Sequence, residues 1–247
     1  MTVDIAGLGR ILSVWAHPDD ETFLAGGVMA AARQLGQDVV CVSATDGEHG
    51  TDDPAAWPPE RLGRLRRWEA TAAMSILGVD DHRWLGFEDG TLDGIDPRAG
   101  CEAIAVVIDE VRPDTVLTFG PDGMTYHPDH IAVGQWVLAA CDRFAAPPRV
   151  LTAALDADRH RRFRERLETW SIYMTDERPT PVERDALALQ LDLDDEALDR
   201  KMAALHAMHS QVTPALAVMS ALELRSLYGH ESFVAADVVA PSSGARR

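Results

Sequence analysis

The chain has 247 residues, 46% of them hydrophobic and 26% charged, with 40 acidic against 23 basic side chains and a formal net charge of −17. That balance suits a soluble domain with a sizeable core, and so negative a surface makes nucleic acid and anionic lipid poor partners. No apolar run approaches the roughly 20 residues that span a bilayer, so no membrane partner is expected.

In chain order, short apolar runs alternate with amphipathic stretches, the βαβα pattern of a parallel sheet. Residues 11–16 read as a first strand, 22–35 as a helix and 38–45 as a second strand. A loop rich in Gly, Asp and Pro leads to a helix over residues 60–77, and residues 83–86 form a short third strand. A helix over residues 98–111 stops before Pro113, as the restriction on a residue preceding proline requires. Residues 115–119 form another buried strand, followed by a helix over 128–143 and a strand over 149–155. Beyond that point the order is less regular. A basic helix at residues 159–168 and a strand at 187–193 precede helices at 194–209 and 215–228 and a last strand at 231–238.

The expected architecture is α/β: a single domain with a Rossmann-like core over residues 8–155, whose mostly parallel sheet is flanked by helices. A small C-terminal α+β extension follows over 156–240, and 241–247 form a flexible tail. Cys41, Cys101 and Cys141 make no CxxC unit and no disulfide framework. With MTVDIAGLGR lacking the basic and apolar stretches of a secretion signal, a reducing cytoplasm is the expected setting.

Two segments carry the chemistry. His17-Pro18-Asp19-Asp20-Glu21 ends the first strand, where ligands bind in an open parallel sheet. Pro18 suits the first helical position, which puts the three acids in the first turn. His17 and Asp20, three apart, can reach one cation, and Asp19 stays free for proton transfer. Alone, this segment is explained equally well as an acidic cap on an ordinary helix. The second segment, His127-Pro128-Asp129-His130, stands in the equivalent place after residues 115–119. A hydrolytic metal site takes three His/carboxylate ligands and keeps one position for water. His17, Asp20 and His130 supply that set, with His127 and Asp19 left over as acid–base groups.

Other features are weaker. His206 and His209 share a helical face, more naturally a polar face or a lid contact than a metal pair. Asp52-Asp53 reads as turn formers, and Gly26-Gly27 as a place of close packing. Trp57 is the one tryptophan placed to stack on a sugar. No GxGxxG, Walker loop, GxSxG or HExxH occurs.

Ala16 to Glu21 (AHPDDE) and His127 to His130 (HPDH) resemble the two signature motifs of the PIG-L/LmbE-like N-deacetylases of N-acetylglucosamine conjugates. Asp46-Gly47-Glu48, Arg66-Arg67-Trp68-Glu69 and His209-Ser210-Gln211 are similar to further elements of that family, so the resemblance covers most of the chain. It implies Zn²⁺ on His17, Asp20 and His130, with Asp19 as general base. His127 would be the oxyanion-stabilising imidazolium or general acid, oriented by Asp129, and Arg66 a sugar contact. The chain departs from the family at Thr125-Tyr126, where members place a tyrosine two residues before the histidine. A His₂–carboxylate set also suits Fe²⁺.

The expected activity is removal of acetyl from an N-acetylglucosamine-type conjugate, a small molecule, with homo-oligomer formation left open. The alternatives are an amidase acting on a larger amide of an amino-sugar conjugate, and a non-catalytic metal- or sugar-binding protein.

Overall fold

The computed structural model describes residues 3–236. A seven-stranded sheet forms its centre, in the order β3-β2-β1-β4-β5-β7-β6. Strands β1 (Ile11–Trp15), β2 (Val39–Thr45), β3 (Asp81–Phe87), β4 (Thr115–Phe119) and β5 (Arg149–Ala153) run parallel. β1, β2 and β4 are buried at every position, as central strands covered on both faces must be. Helices α1 (Asp20–Gln34), α2 (Pro59–Leu77), α3 (Pro97–Val111) and α4 (Pro128–Cys141) make the crossovers. The order reverses between β1 and β4, which pair from Ile11↔Thr115 to Ser13↔Leu117. A crevice opens at the carboxyl ends there, and both His-Pro-Asp segments lead out of it.

The C-terminal part continues the same sheet. β7 (His230–Ala235) pairs antiparallel with β5, and β6 (Leu189–Asp192) antiparallel with β7. Between β5 and β7 come α5 (Ala157–Trp170), α6 (Asp195–Ala207), α7 (His209–Val218) and α8 (Ala221–Tyr228), with α6 packed on α1 and α2. The helix expected over residues 215–228 is two helices. Ser220 and Glu223 form a reciprocal capping box that starts α8, while α7 runs through Pro214. β3 is longer than expected at both ends. The end of the last expected strand and the expected tail, residues 237–247, lie outside the described residues. No described helix is long and apolar enough to cross a membrane.

One tie binds the C-terminal part to α1. The Glu231 carboxylate accepts from the backbone amides of Gly27 (2.6 Å) and Val28 (2.8 Å), and Lys201 Nζ donates to Glu231 (2.6 Å) and to the Phe23 carbonyl (2.9 Å). Mid-helix amides are ordinarily committed to carbonyls one turn back, so a carboxylate reaches them only where the helix surface is bare. Gly27 provides that bareness: a Cβ there would stand 2.5 Å from Leu193 Cδ2 and 3.1 Å from Glu231 Oε1. The close packing expected of Gly26-Gly27 is thus a docking point for an acid.

Candidate active site

The two His-Pro-Asp segments are alike in sequence and differ in backbone. At the second, His127 is the N-cap of α4, Pro128 is its first residue, and the Asp129 amide donates to His127 Nδ1 at 3.2 Å. At the first, the helix begins only at Asp20, so Pro18 lies outside it, contrary to expectation. Asp19 occupies the N-cap with φ 140°, a region where a residue bearing a side chain is strained by on the order of 1–3 kcal/mol.

Two buried side chains hold that conformation. Glu21 Oε2 accepts the Asp19 amide at 2.9 Å, and burial pushes the Glu21 carboxyl up to about 8. Arg66 donates to the carbonyls of Gly47 (2.7 Å) and Pro18 (2.8 Å) and to Asp19 Oδ2 (3.2 Å). The expected sugar contact at Arg66 is therefore a clamp behind Asp19. Its guanidinium is buried and spent on the chain itself, apart from an unpartnered Nε. Gly47, at φ 63°, leaves room for it, since a Cβ there would lie 2.3 Å from the guanidinium.

The outcome is a convergence of three side chains. His17 Nδ1 is 3.2 Å from His130 Nε2 and 3.5 Å from Asp20 Oδ2, and His130 Nε2 is 3.3 Å from Asp20 Oδ1. Ligands bound tetrahedrally at about 2.0–2.1 Å stand about 3.3–3.4 Å apart, the spacing found here. The far sides of the rings fix their tautomers. His130 Nδ1 lies 2.9 Å from the Gly123 carbonyl, which can only accept, so Nδ1 carries the hydrogen and Nε2 a lone pair. His17 Nε2 faces Asp89 Oδ1 (3.1 Å) and Asp129 Oδ2 (3.3 Å), which leaves the lone pair on Nδ1.

With those tautomers, two lone pairs and a carboxylate meet with no hydrogen between them, an arrangement that a cation would satisfy. A proton is the alternative occupant. Burial disfavours a charged His17, yet Asp129, Asp20 and Asp89 outweigh it and hold the ring well above the usual histidine range. Burial and the neighbouring histidines push His130 down to about 4, even against the pull of Asp20. His17, Asp89 and Asp129 could also be read as a ligand group. We assign that side to hydrogen bonding, because Asp89 already accepts the His49 amide and Asp129 the amides of Gly90 and Leu92.

His127 and Asp129 do not form the expected pair. The Asp129 carboxylate is taken by His17, Gly90 and Leu92. Burial, then the proximity of His17, lower the His127 pKa, and its Nδ1 accepts a backbone amide. Both features favour a neutral imidazole, with Nε2–H as donor, over the expected imidazolium. Its ring lies 4.8 Å from those of both His17 and His130.

Sequence reasoning missed Asp89, in the turn after β3, and the part played by Glu21. Glu48 accepts the Asp89 amide through Oε1, while its Oε2 is buried with no hydrogen-bond partner. Tyr126 lines a different groove, with Leu92, Pro128 and Trp136, away from the triad. Arg61 covers the Trp57 ring at 4.4 Å, so that face is not bare for a sugar. His206 and His209 are exposed, and in the His209-Ser210-Gln211 element Ser210 is held by Glu69 while Gln211 Nε2 donates to Ser210 Oγ and the Gly50 carbonyl. All three cysteines are buried and free.

Comparison with known proteins gives the chain a family. Residues 12–141 match the family described as GlcNAc-PI de-N-acetylase. A 1D-myo-inositol 2-acetamido-2-deoxy-alpha-D-glucopyranoside deacetylase of Saccharomonospora viridis is 31% identical over 230 residues, covering 82% of this chain and 85% of that one. This chain belongs to the GlcNAc-PI de-N-acetylase, or PIG-L, family.

A second relative of the same description, from Kineococcus radiotolerans, is 38% identical over 159 residues, covering 53% of this chain and 44% of its own length. The chain thus spans only about half the length of some PIG-L relatives it matches. The N,N'-diacetylchitobiose deacetylase of Pyrococcus horikoshii superposes with a TM-score of 0.70 at 18% identity, over 97% of this chain and 89% of that one. The α/β fold, with its mostly parallel sheet flanked by helices, is the fold of these PIG-L neighbours.

Proposed function

We propose that this chain is a metal-dependent hydrolase that removes the acetyl group from an N-acetylglucosamine-type conjugate, with His17, Asp20 and His130 as metal ligands. The convergence of two histidine lone pairs and a carboxylate beside a separately held Asp19 carries this reading. Zn²⁺ is the metal we favour, and the donor set also accommodates Fe²⁺. When bound, such a cation supplies a Lewis acid that acidifies water and polarises a carbonyl.

The remaining chemistry belongs to the chain. Asp19 is the general base. Burial pushes its carboxyl up to about 7 against the opposing pull of Arg66, near the value at which a base works best at neutral pH. Having taken the proton of the attacking water, Asp19 can return it to the leaving amine. His127 donates from Nε2 to the oxygen that gains charge, and loss of one such donor typically costs on the order of 10²–10³ in rate. Asp129 and Asp89 orient His17. Arg66 and Glu21 hold Asp19 in its strained backbone and aim its carboxylate.

The site suits a small amino-sugar conjugate, and the three buried, free cysteines suit a reducing cytoplasm. An acetate-release assay on N-acetylglucosamine conjugates, run with and without chelator, tests the reading. Release should stop on chelation and return on adding Zn²⁺. Release that ignores the chelator would remove the metal from the mechanism. Failure on every conjugate despite bound metal would favour a larger amide or a binding protein.

A further inference from the structure

Three cations are buried among the described residues: Arg66, Arg159 and Lys201. Arg66 is clamped on Asp19 and two carbonyls, and Lys201 is paired with Glu231. Arg159 differs. It sits in the first turn of α5 with 8% of its surface exposed, and its Nε is buried with no hydrogen-bond partner. No described carboxylate forms an ion pair with it. The Tyr228 ring lies under the guanidinium, 5.2 Å from its carbon. The nearby acid Asp156 is committed elsewhere, accepting from the Arg159 amide at 2.9 Å and meeting His230 Nε2 at 2.6 Å.

Burying a charge without a partner is costly. Arg159 lines a cavity of about 130 Å³ that it shares with Asp20 and His130 of the triad and with Phe23, Trp170, Ile172 and Tyr228. A cavity of about 150 Å³ holds a benzene, so this one is large enough for a short chain. A bonded cation at the triad would neutralise Asp20 and leave Arg159 as the unanswered charge of the cavity.

We propose that this cavity is a carboxylate subsite, with Arg159 as its anchor and the apolar walls receiving a short spacer that leads back to the triad. The proposal rests on the deacetylase reading only for the position of the scissile amide at the triad. Two sources share the chemistry: the acetate released in the reaction, and an acid carried by the substrate on a few carbons.

The test is calorimetric binding of acetate, butyrate and hexanoate, each beside its neutral primary amide, to the zinc-loaded full chain and to Arg159→Met. In the native chain the acid should bind about tenfold or more tightly than the amide, the worth of a hydrogen-bonded ion pair. In Arg159→Met that gap should collapse, with thermal stability equal or higher because an unpaired buried charge has gone. Affinity rising from acetate to hexanoate assigns the subsite to a substrate acid, and equal affinity assigns it to released acetate. A gap unchanged in Arg159→Met means that the acids sit on the metal alone, and the subsite is then wrong. Should Arg159→Met fail to fold, Arg159→Lys replaces it: a gap reduced at least threefold supports the subsite, and an unchanged gap overturns it. Acetate release and its chelator sensitivity are read separately, so failure here leaves the deacetylase reading standing.

Discussion

Replacing Asp19 by asparagine is expected to lower turnover by roughly 10²–10⁴-fold, the usual share of a general base, while metal stays bound at native stoichiometry. Asparagine keeps the volume of the side chain and an oxygen to accept from Arg66, and it is among the residues that best tolerate positive φ. Glu21 can still accept the residue 19 amide, since that bond involves only the backbone. The substitution therefore removes little besides the capacity to take a proton. Asp20, the neighbouring acid, cannot replace it: Asp20 is held by His17 and His130 and is lowered to about 2, its histidine partners outweighing the burial that opposes ionisation. Steady-state kinetics with elemental analysis of the same sample checks this. Near-native turnover would move the base elsewhere, and lost metal would make Asp19 a ligand.

Truncating His130 to alanine should have the opposite signature, abolishing tight metal binding and activity together. The ring is fixed on three sides, stacked on Phe119 at 4.1 Å between centroids, bonded to the Gly123 carbonyl and facing His17. Loss of a residue that only orients a ligand costs about 10–100-fold in metal affinity, and loss of a ligand this well held should cost more. Zinc titration against a competing chromophoric chelator measures it, with thermal unfolding of the metal-free proteins as the control for folding. Native affinity in His130→Ala would strike His130 from the ligand set.

The parallel core was legible because buried parallel strands are nearly continuous apolar runs and their crossovers are amphipathic. The C-terminal part was blurred for a physical reason as well. Its helices are short and their ends depend on side-chain capping, as at Ser220–Glu223, where the apolar periodicity runs on uninterrupted. In the site, the meeting of His17, Asp20 and His130 could be read because His17 and Asp20 are close in sequence and the second motif repeats the first. What could not be read was which partner each side chain prefers. Asp129 reaches back to His17 across the crevice, Arg66 turns inward to Asp19, and Asp89 comes from a turn with no motif of its own. Arg159 gave no signal either, since in a helix of many arginines nothing in the sequence marks the one that is buried.

The bond between Glu231 and the amides of Gly27 and Val28 joins positions 204 and 203 residues apart. α1 begins at Asp20, so the helix that carries one of the proposed metal ligands is fastened by β7, far away in sequence. Contacts so distant in sequence form late, after the loop-closure entropy has been met. The geometry around Asp20 then depends on β7 as well, and is reached after the Rossmann-like half has collapsed. Pulsed hydrogen exchange during refolding should find the Gly27 and Val28 amides protected together with β7 and later than β1 and β4. Protection of those two amides in the first phase would show that α1 needs no such fastening, and that the site can be assembled before β7 docks.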